Sequence, residues 1–535
     1  MFRHTIIRSP ERSPRAFHAA LFALAASGCG RQFDLGEITQ LLDQDSTEPA
    51  AAQPLRGTPL LSSIDDIDAV VANAMVWPAP TSDILPIALG DVDGDGLGDW
   101  IQGDTLFYGA SRPEGERLEV GGRARFRFDV AGNGTFRAAG DVNGDGLMDL
   151  LFGSEQLVWV ASDEIEPVRQ FPVREPAARL VFGSRERLAG EVDLASVGLA
   201  FGDRDALLER LTEPLASDLP DSFARQETLL APLGDLNADG FADFVSTTTV
   251  IYTRYLTDAS GSIGGGGQEI ARESVSYVYH GHADPLEIDV PQARLDADVR
   301  WSAAGDVDGD GLPEVIWTTP QAFHLLPGSA VTAGGELGFA QAIEVAGLTP
   351  RFYLDTLDPL TGALGDLDGD GLDDFALNAA VVVSSPTDVS TLWWVFYGGP
   401  ELLRGPMSTA QASATFETQL TSSVQPIGDW DDDGRSDLLL AQSLWLEGNE
   451  PGSTLPDARE AVLLRGGAAR FSGRYVIPQH RPELGDAVTA RDLIPVPAGD
   501  LDGDGFADLF VKTLFSSSLD LGIVYGAPLP LPVVR

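Results

Sequence analysis

One nine-residue pattern recurs seven times along the chain and limits the possible folds more than any other feature. It begins Asp91-Val92-Asp93-Gly94-Asp95-Gly96-Leu97-Gly98-Asp99 and returns at Asp141, Asp235, Asp306, Asp366, Asp429 and Asp500. Successive starts lie 50, 94, 71, 60, 63 and 71 residues apart. Inside the longest interval, the stretch from Gly190 to Gly198 keeps the frame of the pattern but has lost most of its acidic positions. Self-similarity at this spacing marks an array of like units rather than one irregular domain. Seven units are expected if that stretch is only a linker, and eight, the favoured count, if it is a degenerate repeat.

The residue types fix the chemistry the pattern can perform. Position six is Gly in all seven copies, which permits a sharp turn, and position nine is always acidic. A hard divalent cation takes six to eight oxygen donors from carboxylates, carbonyls and water. Side chains at positions one, three and five of a tightly wound loop point inward, position seven offers its carbonyl, and position nine closes the shell. The candidate ligands are therefore Asp91, Asp93, Asp95 and Asp99; Asp141, Asn143, Asp145 and Asp149; Asp235, Asn237, Asp239 and Asp243; and Asp306, Asp308, Asp310 and Glu314. The set continues with Asp366, Asp368, Asp370 and Asp374; Asp429, Asp431, Asp433 and Asp437; and Asp500, Asp502, Asp504 and Asp508. An all-oxygen, flexible loop favours calcium over zinc, copper or magnesium, so up to seven structural Ca2+ ions are expected. Asp-Gly-Asp-Gly is also good turn sequence, but a turn alone does not call for an acid at position nine each time.

Charge supports the same reading. The chain has 81 acidic and 35 basic residues, a net charge of -46, and four carboxylates crowded into one loop repel unless a cation lies among them. That balance argues against a nucleic-acid partner. An EF-hand needs a bidentate acid at position twelve. Here position twelve is Gln102, Phe152, Ser246, Trp317, Leu377, Leu440 and Val511, which excludes that motif and dockerin-like loops with it. Thrombospondin-type calcium repeats are cysteine-rich, whereas this chain has one cysteine.

Short apolar runs flank the loops. Ile84 to Leu89, Phe136 to Ala139, Trp301 to Ala304 and Ile494 to Ala498 precede them; Leu150 to Phe152, Phe375 to Leu377 and Leu509 to Val511 follow. A third run often ends in Gly, as at Tyr108-Gly109, Tyr397-Gly398 and Tyr525-Gly526. Three or four such strands per unit, bounded by Gly and Pro, predict antiparallel sheets without crossover helices. The expected class is all-β, a single β-propeller of seven or eight blades with calcium loops between strands. These motifs resemble the FG-GAP (VCBS) repeat family, found in the propeller of integrin α subunits, over roughly residues 80–527. The resemblance implies that each calcium loop joins the innermost strand of a blade to the next.

Residues 1–28 form an expected lipoprotein signal peptide. Arg3, Arg8, Arg12 and Arg15 precede an apolar stretch that ends in Ala26-Ser27-Gly28-Cys29. That ending resembles the lipobox of bacterial lipoproteins, which implies lipidation of Cys29 and a membrane contact through the lipid. Residues 29–63 are expected to be a flexible tether and residues 64–535 the propeller. Among other candidates, His280-Gly281-His282 reads as a polar turn, Gly261 to Gly267 lacks the Lys-Ser/Thr of a phosphate loop, and no nucleophile elbow or zinc-protease motif occurs. His324 and His480 complete the histidines beyond the signal segment. Trp77, Trp393, Trp394 and Trp445 read as packing residues between blades rather than as sugar platforms.

The expected function is a non-catalytic, calcium-stabilised binding or adhesion scaffold at the bacterial cell envelope. It would be exported and held at the outer membrane or cell surface, or else be periplasmic or secreted, with a protein or glycan partner. The alternatives are a polysaccharide lyase, which needs a basic cluster near the axis, and a glycan lectin.

Overall fold

The computed structural model describes residues 53–54, 58–59, 69–71, 85–111, 117–118, 122–127, 134–161, 169–170, 178–201, 222–257, 263–348, 362–382, 389–419, 423–444, 458–476, 493–513 and 521–526. The signal segment, Cys29, Trp77, Trp445 and His480 lie outside the described residues. The fold is all-β, a propeller with a few single-turn helices.

Each of the seven loops closes a β-hairpin. The inner strands are Ile87–Gly90, Gly134–Gly140, Ser222–Gly234, Arg300–Gly305, Gly362–Gly365, Ser423–Gly428 and Leu493–Gly499. Each pairs antiparallel with the strand that starts at position nine of its loop. The inner strands contact one another in chain order, and Leu493–Gly499 contacts Ile87–Gly90, so they form a closed ring. Five of the seven, those at 87–90, 300–305, 362–365, 423–428 and 493–499, end their sheets, which is why Pro426, Pro495 and Pro497 are tolerated there.

A hydrophobic cluster fills the gap between every two consecutive hairpin units, seven among the described residues. The ring-closing one joins Trp100 and Phe107 of the first unit to Val496, Phe510 and Ile523 of the last. Trp100 stacks on Phe107 at 5.4 Å, and complete burial of such a side chain stabilises by about 1.5–3 kcal/mol.

By backbone pairing these units make six sheets, not the seven or eight blades expected. Asp149–Ala161 is the reason. Through its first half it pairs with Gly134–Gly140, and through its second with Ser222–Gly234, which fuses two hairpin units into one ten-stranded sheet. The degenerate stretch is not an eighth hairpin either. Gly190–Asp193 adds in parallel to Gly122–Arg127 of the first unit, and Leu194–Ser196 is one 3-10 turn capped by Asp193. With most of its acidic positions lost, the segment does not form the nine-residue loop.

This parallel addition recurs. Gly335–Glu336, Met407–Ser408, Gly473–Val476 and Arg117–Leu118 each join the outer strand of the preceding unit's sheet in parallel. Ala69–Val71 pairs antiparallel with Leu521–Val524, so residues from both ends of the ring share the closing sheet. Within the stretch expected to be a tether, Gln53–Pro54 pairs with Tyr475–Val476 and Thr58–Pro59 with Val462–Leu463.

Candidate functional site

The seven loops share one internal architecture. The carboxylate at position one accepts the N–H of position six in every loop and that of position four, five or both, as Asp91 does from Gly94, Asp95 and Gly96. In six loops position three takes the N–H of position five through Oδ1, as Asp93 does from Asp95, Asp431 being the exception, and in all seven position five takes that of position seven, as Asp95 does from Leu97. These bonds wind the chain about its own side chains and do not use the second oxygens of positions three and five.

Position nine plays a different part. Asp99, Asp149, Asp243, Glu314, Asp374, Asp437 and Asp508 are all fully buried. One oxygen of each accepts the N–H of position two, for instance Val92, Val142 and Leu501, at 2.7–3.0 Å. The other accepts the N–H of a glycine just past the third strand: Gly109, Gly183, Gly281, Gly328, Gly398, Gly466 or Gly526. Position nine thus ties hairpin, loop and third strand together. Burial, only partly offset by those two bonds and reinforced by neighbouring acids, pushes Asp99, Asp149, Asp243, Glu314, Asp374 and Asp508 up to about 7 and Asp437 to about 6.

Two glycine positions carry this geometry, and the sequence reading did not connect them to the site. The residue before each loop is Gly, from Gly90 to Gly499, with φ between 68° and 89°. Each sits opposite position nine across a register shift, a glycine bulge that aims the carboxylate inward. The strand-end glycines are needed for close approach: a Cβ on Gly183 would lie 2.7 Å from the Met148 carbonyl oxygen and 2.8 Å from that of Val92. The invariant Gly-Asp at the loop start and the Tyr-Gly endings were the readable signs of both.

The loops are also joined to one another. The carbonyl at position one accepts the N–H of position eight in the next loop, seen for Asp91 with Met148, Asp141 with Ala242, Asp306 with Asp373 and Asp366 with Ser436. The carbonyl at position two accepts the N–H following the next strand-end glycine, as Val92 does from Ser184. Pro313 occupies position eight of the 306–314 loop and has no N–H to offer Asp235.

Five loops bring three carboxylate oxygens within 4.8 Å of one another. Four do so with positions one, three and nine: Asp91, Asp93 and Asp99; Asp306, Asp308 and Glu314; Asp366, Asp368 and Asp374; and Asp429, Asp431 and Asp437. The fifth uses Asp500, Asp502 and Asp504. Each of these groups could hold a metal ion, and the donor set, oxygen only, suits a hard cation. Asp431 Oδ1 is buried without a hydrogen-bond partner, an orphan that a cation would satisfy.

The two asparagine loops are not among these groups. Asn143 donates to Asp145 at 3.1 Å, and Asn237 donates to Asp239 at 2.8 Å while its amide lies 3.2 Å from His280 Nδ1. His282 is held in a turn by the Asp284 N–H and stacks on Phe241, and burial lowers both His280 and His324. No histidine belongs to a potential metal group among the described residues. Trp100, Trp301, Trp317, Trp393 and Trp430 are core residues, and Trp394 packs partly buried against the cluster between the fourth and fifth units.

Among the described residues no helix is long and apolar enough to cross a membrane. Among curated proteins none matches the chain. A structural likeness to the V. cholerae biofilm matrix protein Bap1 covers 86% of this chain and 74% of that one, at 9% identity and a TM-score of 0.22. The model of the FG-GAP repeat matches residues 299–336, the inner strand, loop and following strands of the fourth unit. With that unit's hairpin repeated around a closed ring, the chain is a β-propeller whose fourth unit matches the FG-GAP repeat.

Proposed function

We propose that the protein is a calcium-stabilised, non-catalytic binding or adhesion scaffold, exported and lipid-anchored through Cys29. The observation that carries the calcium reading is the convergence of three carboxylate oxygens in each of five loops. An ion there would neutralise charges that the fold otherwise forces together, and would stabilise the native state by an amount that grows with the logarithm of its free concentration above the dissociation constant. Of the ligand candidates, positions one and three with nine or five would hold the ion. Asn143 and Asn237 make their loops the weaker sites.

The scaffold reading is supported by where the cations of the chain go. Arg187, Arg435, Arg465 and Arg470 are paired with loop acids rather than grouped to receive an acidic sugar. The lyase alternative requires a free basic cluster. The lectin alternative requires exposed aromatics, whereas five tryptophans lie in the core.

The decisive experiment is a thermal melt of the chain lacking residues 1–28, with calcium and with chelator. The calcium reading expects a large downward shift in chelator, and an unchanged melt sinks it. A glycan array and a lyase assay on uronate polymers separate the alternatives: turnover identifies the enzyme, and a hit without turnover the lectin. Intact-mass analysis of the membrane fraction tests Cys29, with an unmodified N-terminus excluding the anchor.

A further inference from the structure

Two loops differ from the rest in what reaches them from the neighbouring unit. Arg187 places Nε on Asp93 and Nη2 on Asp95 at 2.5 Å. Arg470 places Nε on Asp368 and Nη2 on Asp370 at 2.7 Å. In each case the guanidinium bridges positions three and five of the preceding unit's loop, and it takes Oδ2 of both residues. The Oδ1 atoms are already committed to backbone N–H groups. Oδ2 is therefore the oxygen of each residue that makes no backbone bond in the loop, and the guanidinium takes it from any incoming cation.

The arginines are held in place by a repeated arrangement. Arg187 lies over the Tyr108 ring at 5.1 Å, and Arg470 over the Tyr397 ring at 4.8 Å. The tyrosine hydroxyl accepts the N–H of the residue after the arginine, Leu188 at 2.8 Å and Phe471 at 2.9 Å. The spacing is identical. Each arginine lies four residues after its strand-end glycine, Gly183 or Gly466, and three before the glycine that opens a parallel outer strand, Gly190 or Gly473. At the same offset the other five units have Pro113, Pro285, Thr332, Leu402 and Pro530.

We propose that Arg187 and Arg470 are built-in counter-cations that compete with calcium for the 91–99 and 366–374 loops, making these two fill later than their four carboxylates alone would dictate. They clasp adjacent units at low calcium and yield to the ion at high calcium. The proposal rests on the calcium reading above and adds that the sites are graded by an arginine in trans between units. A fully solvated ion and a preformed guanidinium fork want the same two oxygens, so each lowers the other's hold.

The test is isothermal titration of calcium into chelator-stripped protein, alongside thermal melts in chelator and in saturating calcium, for wild type and for the R187Q/R470Q pair. The expected result is that two sites tighten by about tenfold in the double variant, the loss of one competing charge each. Its melt should fall in chelator and match wild type in calcium. Y108F/Y397F, which frees the backbone anchor and keeps both guanidinium groups, should move both readouts the same way by less; it serves as the readout if the glutamine pair does not fold in chelator. Unchanged isotherms, or a melt lowered equally in both conditions, overturn the proposal and make the arginines merely structural. A wild-type chain that takes up no calcium overturns the calcium reading itself, which the titration reports separately.

Discussion

Position four of the loops shows how narrowly the backbone is specified. Five copies have Gly there, while Ala238 and Asp432 take φ of 56° and 58°, the only non-glycine residues in the left-handed region among those described. An L-residue pays roughly 1–2 kcal/mol in that region, and Asp tolerates it better than Ala. Ala238→Gly should therefore raise the unfolding free energy by about 0.5 kcal/mol, after the larger chain entropy of Gly is subtracted. A neutral or negative shift in a denaturant melt would remove strain at this site from the account. Gly183→Ala should act in the opposite sense, losing about 2–4 kcal/mol because its Cβ meets backbone oxygens that cannot withdraw. The candidate ligands were legible in the residues themselves, since only carboxylates at fixed spacing can crowd in this way. The double role of position nine was not legible, because its two backbone partners lie seven residues upstream and from 10 to 38 residues downstream.

At the scale of elements, the hairpins followed from apolar runs on either side of each loop, and the runs at Phe136 to Ala139 and Leu150 to Phe152 became paired strands. Sheet boundaries did not follow. Nothing in the composition of Asp149–Ala161 announces that its second half leaves one partner for another, since this depends on length and twist rather than on pattern. The outer parallel strands escaped for a similar reason: two-residue pairings such as Met407–Ser408 carry no periodicity to read. Ala69–Val71 offers the sharpest test of the architecture. It lies between Leu521–Val524 and Arg117–Leu118, so both its edges are bonded. Val70→Pro removes an N–H from an interior strand and should cost about 3 kcal/mol. Hydrogen exchange should then rise at residues 521–524 first, and uniform exchange around the ring would contradict closure through this strand.

For the whole molecule, the buried position-nine acids set how stability responds to pH. Their folded values of about 7, and about 6 for Asp437, lie above the ordinary 3.8 of Asp and 4.5 of Glu. The cation-free folded state therefore holds more protons than the unfolded chain between those limits, and its stability falls as pH rises through that window. Saturating calcium should abolish or reverse the trend, because the ion favours the ionised carboxylate. Melts in chelator that climb between pH ~5 and ~7 would contradict this assignment. The N-terminal stretch adds a mechanical property. Residues 53–54, 58–59 and 69–71 are stitched to three successive sheets, those of the fifth, sixth and seventh hairpin units. Tension arriving from the N-terminal side therefore peels two sacrificial fasteners, one after the other, before any load falls on the seam that keeps the wheel shut.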